Sequence, residues 1–502
     1  VRFPPDTQAK IAQIDRFWHQ FRSGLPVEEV VRTALERGTA DLDVIICGGT
    51  LGLLVGAGLQ QRGYKVLILE RGTLQGREQE WNISRRELNH FLELGLLTEG
   101  ELNQTIVTTY NPGRVGFHGG GTYWVQDVLN LGVSPKALLA ILKAKFLQWG
   151  GQIREHGSFS RGIVYPDRVA VWTGDGEQYS ARLLLDCMGY FSPIGRQARQ
   201  VLYGHPRPDS LVWVVGGCAQ GLPALSWGDL LYTFTPIEGG EQYFWEAFPA
   251  QDGRTTYLFT YQDFHPDRGG LGALFQTYQR LLPQYQDSDP QTIEFLRVLG
   301  GFFPAYRASP LGVAWDRVLS IGDSGGNQSP LSFGGFGAMV RHLPRLVLGL
   351  TEALAGDYLT RSDLQTLQPY QPNLGVTWLF QRVMQADKQR SSADPNFINR
   401  VLDLVFREMA QLPPPVMTTF LQDVIQLPAL TQTMARMAFA DPLLVSQVVS
   451  QVGLKSLWEW LGHYALLGCY ELLEKLPPPS DFRGKRQWEG WSFGAGRDRL
   501  AH

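Results

Sequence analysis

The 502-residue chain is 44% hydrophobic and 19% charged with a formal net charge of −3, the composition of an ordinary globular protein long enough for a large core. That balance gives no electrostatic reason to expect nucleic acid, and four dispersed cysteines, Cys47, Cys187, Cys218 and Cys469, argue against a structural metal or a disulfide framework. No signal peptide and no apolar run of 18 residues is legible, so a membrane span is not expected; the length predicts two to four domains.

Residues 6–37 predict two helices, the first with Ile11, Ile14, Phe17, Trp18 and Phe21 on one face, the second started by Pro26 and ended by Gly38. They form an N-terminal helical arm, residues 1–40, with no visible chemistry.

Residues 43–71, DVIICGGTLGLLVGAGLQQRGYKVLILER, organise the rest. An apolar strand at 44–46 runs through a glycine cluster into a helix at 51–62, and a second apolar strand at 66–69 ends on Glu70. This is a βαβ unit of dinucleotide-binding size. Gly49 lets backbone approach a pyrophosphate, Gly52 lets the helix pack on the strand, and the helix N-terminus offers free N–H groups. Glu70, 18 residues beyond Gly52, stands where a carboxylate accepts from ribose hydroxyls. The first glycine of the usual fingerprint falls on Cys47, and Gly48 is placed to absorb part of the tight turn.

Beyond Glu70, a polar loop carrying Asn82, Ser84 and Arg85 enters a helix marked by Leu88, Phe91, Leu92 and Leu96. Arg85 is either a two-pronged ligand for phosphate or carboxylate or a solvated helix start. Gly119 to Gly121, beside His118 and Trp124, form either a close ligand approach or a plain turn, and a helix starts near Pro135. A β-rich stretch, 152–181, leads to a buried strand at 183–185 and a polar turn, 186–196, containing Gly189. Ligands collect at that edge of an α/β sheet.

Residues 211–303 alternate in aromatics, and LLYTFTPI, QYFWEAFP and TTYLFTYQDF read as antiparallel strands. Period two puts Phe244, Glu246 and Phe248 on one face, and Tyr257, Phe259 and Tyr261 on one face of the next strand. A carboxyl between two phenylalanines is costly to ionise, so it stays protonated near neutral pH, as a general acid must. A glutamate facing solvent or paired with an arginine is the competing reading. A further strand at 317–321 precedes Asp323, a loop shaped by Pro330 and Gly335, and a helix from about 336. An acid at a strand end before a glycine-rich helix entry suits a polyol and phosphates together.

From 352 onward the pattern is helical. Residues 454–476 read as a packed helix, with a membrane-surface helix as the alternative, and the last residues, with Arg483, Lys485, Arg486 and Trp488, read as a flexible basic tail.

Three segments, Gly49/Gly52/Glu70, MGYFSPIGR and GDSGG followed by GGFG, together resemble the FAD-binding fold shared by aromatic hydroxylases, geranylgeranyl reductases and lycopene cyclases. More narrowly, CGGTLG, EWNISRREL and QYFWEAFP resemble the CruA/CruP group of lycopene cyclase-like flavoproteins, with CruP the closer branch. The fold class expected is α/β: a Rossmann-like FAD-binding domain (41–205, closed by 306–355), an inserted antiparallel β substrate domain (206–305), a helical C-terminal region (356–479) and a flexible tail (480–502). The resemblance implies FAD held by Gly49, Gly52 and Glu70, a ribityl contact from Asp323, and supporting roles for Arg85, Gly189 and Gly335. It implies a carotenoid substrate such as lycopene and a redox-neutral cyclisation that needs reduced flavin. Glu246 falls where the plant cyclases carry the glutamate of their FLEET motif. Met188 replaces the acid that serves FAD and NADPH in the hydroxylases, which argues against an NADPH-consuming oxygenase. The alternatives are a flavin-dependent reductase or oxygenase of a polyisoprenoid, or a non-catalytic carotenoid- or flavin-binding paralogue. The implied location is the cytoplasmic face of cyanobacterial membranes or the plastid stroma and thylakoid surface, with peripheral membrane contact.

Overall fold

The computed structural model describes residues 1–24, 26–264, 268–329, 331–332, 334–386 and 394–501. Pro330 lies outside them.

Apolar strands Leu42–Cys47 and Val66–Glu70 pair in parallel, joined by the helix Gly49–Gln61. Their side chains are buried on both faces, as a helix-covered parallel sheet requires. The long strand Gln178–Asp186 is central to this sheet. Its first half pairs antiparallel with Val169–Thr173; its second half runs parallel to Leu42–Cys47 on one side and Val318–Ser320 on the other. Cys47, Asp186 and Ser320 therefore share one sheet edge, with Glu70 on the neighbouring strand. The helices Gly49–Gln61, Pro135–Gln148 and Gly335–Gly356 share the main apolar core with the sheet.

A second, seven-stranded sheet stands beside it. Its centre is Ser210–Gln220, Phe244–Pro249, Arg254–Gln262 and Glu294–Ala305, antiparallel as the alternation predicts. Two of its strands come from outside the predicted insert. Gly113–Gly116 and Thr122–Val125 extend the sheet beyond Gly228–Tyr232, so the Gly119 to Gly121 turn is the tip of a hairpin. Trp245 and Leu258 face a core shared with Trp213 and Trp18 of the N-terminal helix Thr7–Arg22; Phe244, Phe248, Phe259 and Tyr261 face the other way.

The structure corrects two expectations. The second N-terminal helix is a short strand, Val31–Thr33, added in parallel to Phe159–Val164. Val30 and Val31 donate their N–H groups to the buried Gln197 side chain, and β-branched residues favour that extended state. The C-terminal tail is a packed helix, Phe482–Gly494, rather than flexible chain. Phe482, Trp488 and Phe493 are buried, Arg486 pairs with Glu489 and Glu352, and Trp488 donates to the Leu476 carbonyl. Its basic residues serve internal ion pairs.

The helical region between includes Pro372–Met384, Phe397–Met409, Leu427–Ala440 and Leu454–Leu473. The last of these buries Trp460 and Leu467 yet leaves Leu454 and Trp458 more than 70% exposed. No described helix is long and apolar enough to cross a membrane.

Candidate functional site

The glycine cluster is built around Gly48, whose φ is +97°, in the region that favours glycine. A Cβ there would press into the Cys187 carbonyl. Cys47 can thus replace the usual first glycine because the turn falls one residue later, leaving Cys47 as a buried strand end. Gly49 donates its N–H to Glu70 Oε2 at 2.8 Å, and Gly72 donates to Glu70 Oε1 at 3.1 Å, so the carboxylate is fixed at the mouth of the helix. A Cβ on Gly52 would meet Ile46 Cγ2 at 2.6 Å, which confirms the packing task of that glycine.

At the same edge, Asp323 follows the strand Val318–Ser320 and abuts the start of Gly335–Gly356; a Cβ on Gly335 would collide with Asp323 Oδ1. That oxygen is buried without a hydrogen-bond partner among the described residues, and burial pushes the carboxyl up to about 7. A buried acceptor left empty is costly, and a ligand hydroxyl would fill it. Gly189, at φ +81°, turns the chain after Asp186.

Gly49, Glu70, Gly189, Asp323, Gly335 and Glu246 line one cavity of about 1190 Å3. Its volume exceeds the about 300–1,000 Å3 usual for a ligand site, leaving room for a dinucleotide and part of a second molecule. Gly52 serves the helix packing from behind. Arg85 takes no part: its guanidinium pairs with Glu99 and reaches Asn89 and Asn103 at the surface. A helix start on the outer face accounts for it. The arginines on the cavity wall are Arg71, Arg77 and Arg341. His118, in the hairpin, is also off the wall, and its backbone N–H donates to Thr233 Oγ1 beyond the strand Gly228–Tyr232.

The second sheet supplies the opposite wall. Glu246 sits directly across from Tyr257 in the strand register, with Phe248 two residues along, and all three line the cavity. Among the described residues its carboxyl pairs with no arginine; burial lifts it to about 8, and the nearby hydroxyls of Tyr110, Tyr257 and Tyr261 feel its charge. It opens to the cavity, and at neutral pH it holds its proton.

Three contributors lay beyond sequence reasoning. Asp186, at the strand end, is fully buried and accepts from Ser192, Ser320 and the Met188 N–H, clamping the Gly189 turn to two strands. A lone acid after LLL was its only signal. Leu421, Gln422 and Asp423, from the C-terminal region, close the cavity; Gln422 donates to Ser84 Oγ at 2.8 Å and Asp423 accepts from Ser332. Arg341 is held by Asp498 near the chain end at 2.5 Å, so the terminal segment braces the cavity wall. Both joints connect residues far apart in the chain, and no local pattern marks them.

No family model matches the chain, and no curated protein sequence is similar to it. Solved structures do share its fold. The crystal structure of the halogenase PltM superposes with a TM-score of 0.56 at 14% identity, over 79% of this chain and 86% of that one. The same halogenase with phloroglucinol and FAD gives 0.54 at 14% identity, again over 79% and 86%. A geranylgeranyl bacteriochlorophyll reductase-like protein from Thermoplasma acidophilum gives 0.57 at 12% identity, over 84% of this chain and all of that one. The chain therefore has the mixed α/β fold of these proteins, a parallel sheet with a second sheet and a helical C-terminal region.

Proposed function

We propose that the protein is an FAD-dependent enzyme that acts on a polyisoprenoid, with lycopene cyclisation or a closely related redox-neutral reaction at a carotenoid end as its chemistry. The observation that carries this reading is the Glu246 carboxyl: protonated, set in an aromatic wall, and open to the same cavity as the Gly48, Glu70 and Asp323 cradle. FAD fits that cradle. The start of the helix Gly49–Gln61 would hold its pyrophosphate, Glu70 its adenosine ribose, and the unfilled Asp323 oxygen its ribityl hydroxyls. Bound flavin supplies electron or hydride chemistry, or in its reduced form negative charge beside a substrate cation.

Glu246 gives its proton to a terminal carbon–carbon double bond of the substrate. The resulting carbocation is attacked by the neighbouring double bond, a ring carbon–carbon bond forms, and loss of one proton to a base restores neutrality. The product is an isomer, so no net reductant is used. The faces of Phe248 and Tyr257 shelter the positive charge, and the apolar wall keeps water from trapping it.

The shared fold with a halogenase and a reductase-like protein keeps a second reading in play, a flavin-dependent reductase or oxygenase of a polyisoprenoid. Product mass separates them. Anaerobic incubation of the FAD-loaded protein with a flavin reductant and lycopene should yield a ringed isomer; reduction or oxygenation changes the mass, and unchanged lycopene beside bound flavin refutes the cyclase reading.

A further inference from the structure

Beside the main cavity lies a second of about 30 Å3. Tyr190, Phe303, Ser329 and Leu374 line both, and Trp378 and Gln328 belong to the smaller one alone. The Tyr190 and Phe303 rings, 5.3 Å apart, stand at the boundary. The volume exceeds the ~10–15 Å3 that a single water needs, yet it is far too small for a ring or an isoprenoid chain.

Three lining residues hold buried polar atoms without a hydrogen-bond partner among the described residues: the Tyr190 hydroxyl, Gln328 Oε1 and Trp378 Nε1. Trp378 is only 8% exposed, and the Arg307 guanidinium lies 5.5 Å from its ring centroid, which fixes the indole in place. Indole N–H can only donate, the amide oxygen can only accept, and the phenol can do either. A hydroxyl oxygen satisfies them in complementary ways, accepting from Trp378 or Tyr190 and donating to Gln328. A carbonyl can take the two donors. A hydrocarbon satisfies none of them, and each buried polar atom left unpaired is costly.

We propose that this side pocket is an oxygen-recognising subsite that takes a hydroxyl or carbonyl carried by the substrate, whose apolar body occupies the main cavity. This rests on the polyisoprenoid reading above and narrows it: an oxygenated polyisoprenoid is preferred over its hydrocarbon counterpart. Nothing in the mechanism uses Trp378 or Gln328, so their role is recognition.

The test titrates the FAD-loaded, oxidised protein with a matched pair of acyclic C20 probes, phytol and the hydrocarbon phytene, read by tryptophan and flavin fluorescence. Phytol should bind about tenfold more tightly, as one to two buried hydrogen bonds imply. In Trp378→Phe and Gln328→Leu the preference should fall to near unity with phytene affinity unchanged. Equal binding of the two probes by the native protein, or a preference that survives both substitutions, overturns the subsite and leaves a pocket that holds water only. Binding of neither probe by protein that retains FAD refutes the polyisoprenoid reading itself, and the subsite with it.

Discussion

Replacing Glu246 by Gln gives the sharpest test, because one change has opposite effects on activity and stability. The carboxyl sits at about 8 in the folded protein against an ordinary 4.5. Below pH 4.5 it is protonated in both folded and unfolded chains and adds no penalty. As pH rises above 4.5 the unfolded chain releases the proton while the folded protein keeps it, so the penalty on folding grows until about 8 and then levels. At about 1.4 kcal/mol per pH unit, the penalty at pH 7 is about 3 kcal/mol. Glutamine fills the same space without it. Glu246→Gln should therefore leave FAD binding intact, abolish cyclisation and raise unfolding stability by up to about 3 kcal/mol at pH 7, with almost no gain at pH 4. Urea unfolding of both proteins from pH 4 to 8.5, at one fixed FAD concentration, reads the difference. A gain that does not change with pH refutes the raised carboxyl. Full activity in the variant removes Glu246 as the acid. In the native enzyme the same ionisation makes the rate fall above about pH 8, where the acid loses its proton.

Asp323→Ala removes the unfilled acceptor and should weaken FAD binding about tenfold, measured by quenching of flavin fluorescence, with the fold unchanged by circular dichroism. Gly48→Ala places a Cβ against the Cys187 carbonyl at a positive φ, and should cost about 1–3 kcal/mol of stability and most of the FAD affinity in thermal and flavin titrations. Asp498→Ala strips the buried Arg341 of its carboxylate partner, leaving the Phe493 carbonyl, and should destabilise by about 3 kcal/mol in urea, whereas a flexible tail would show no effect. If the exposed Leu454 and Trp458 touch a lipid surface that supplies an apolar substrate, Trp458→Asp should reduce co-sedimentation with anionic vesicles several-fold; unchanged sedimentation excludes that residue from the contact.

The sequence by itself determined the parts whose physics is local. Strand, glycines, helix, strand and acid at 43–71 formed as read, because apolar runs, backbone freedom at glycine and helix-start geometry act within a few residues. The same holds for the alternation that puts Phe244, Glu246 and Phe248 on one face, and for Asp323 at a strand end ahead of Gly335. Residues 26–37 misled because a proline after a polar turn is as good a start for an extended segment as for a helix, and only the free edge at Phe159–Val164 decided it. Arg85 misled because an arginine at a helix start looks the same whichever way that helix turns its face, and here it turns to Glu99.

Only the tertiary structure decided what surrounds Glu246, since its raised carboxyl comes from burial in a cavity wall that segments far apart in the chain build together. It also decided that the hairpin at 113–125 completes the second sheet and that residues 421–423 and Asp498 close and brace the cavity. The reason is physical: a strand's period places a side chain on a face, but which surface packs against that face depends on burial of apolar area summed over the whole chain.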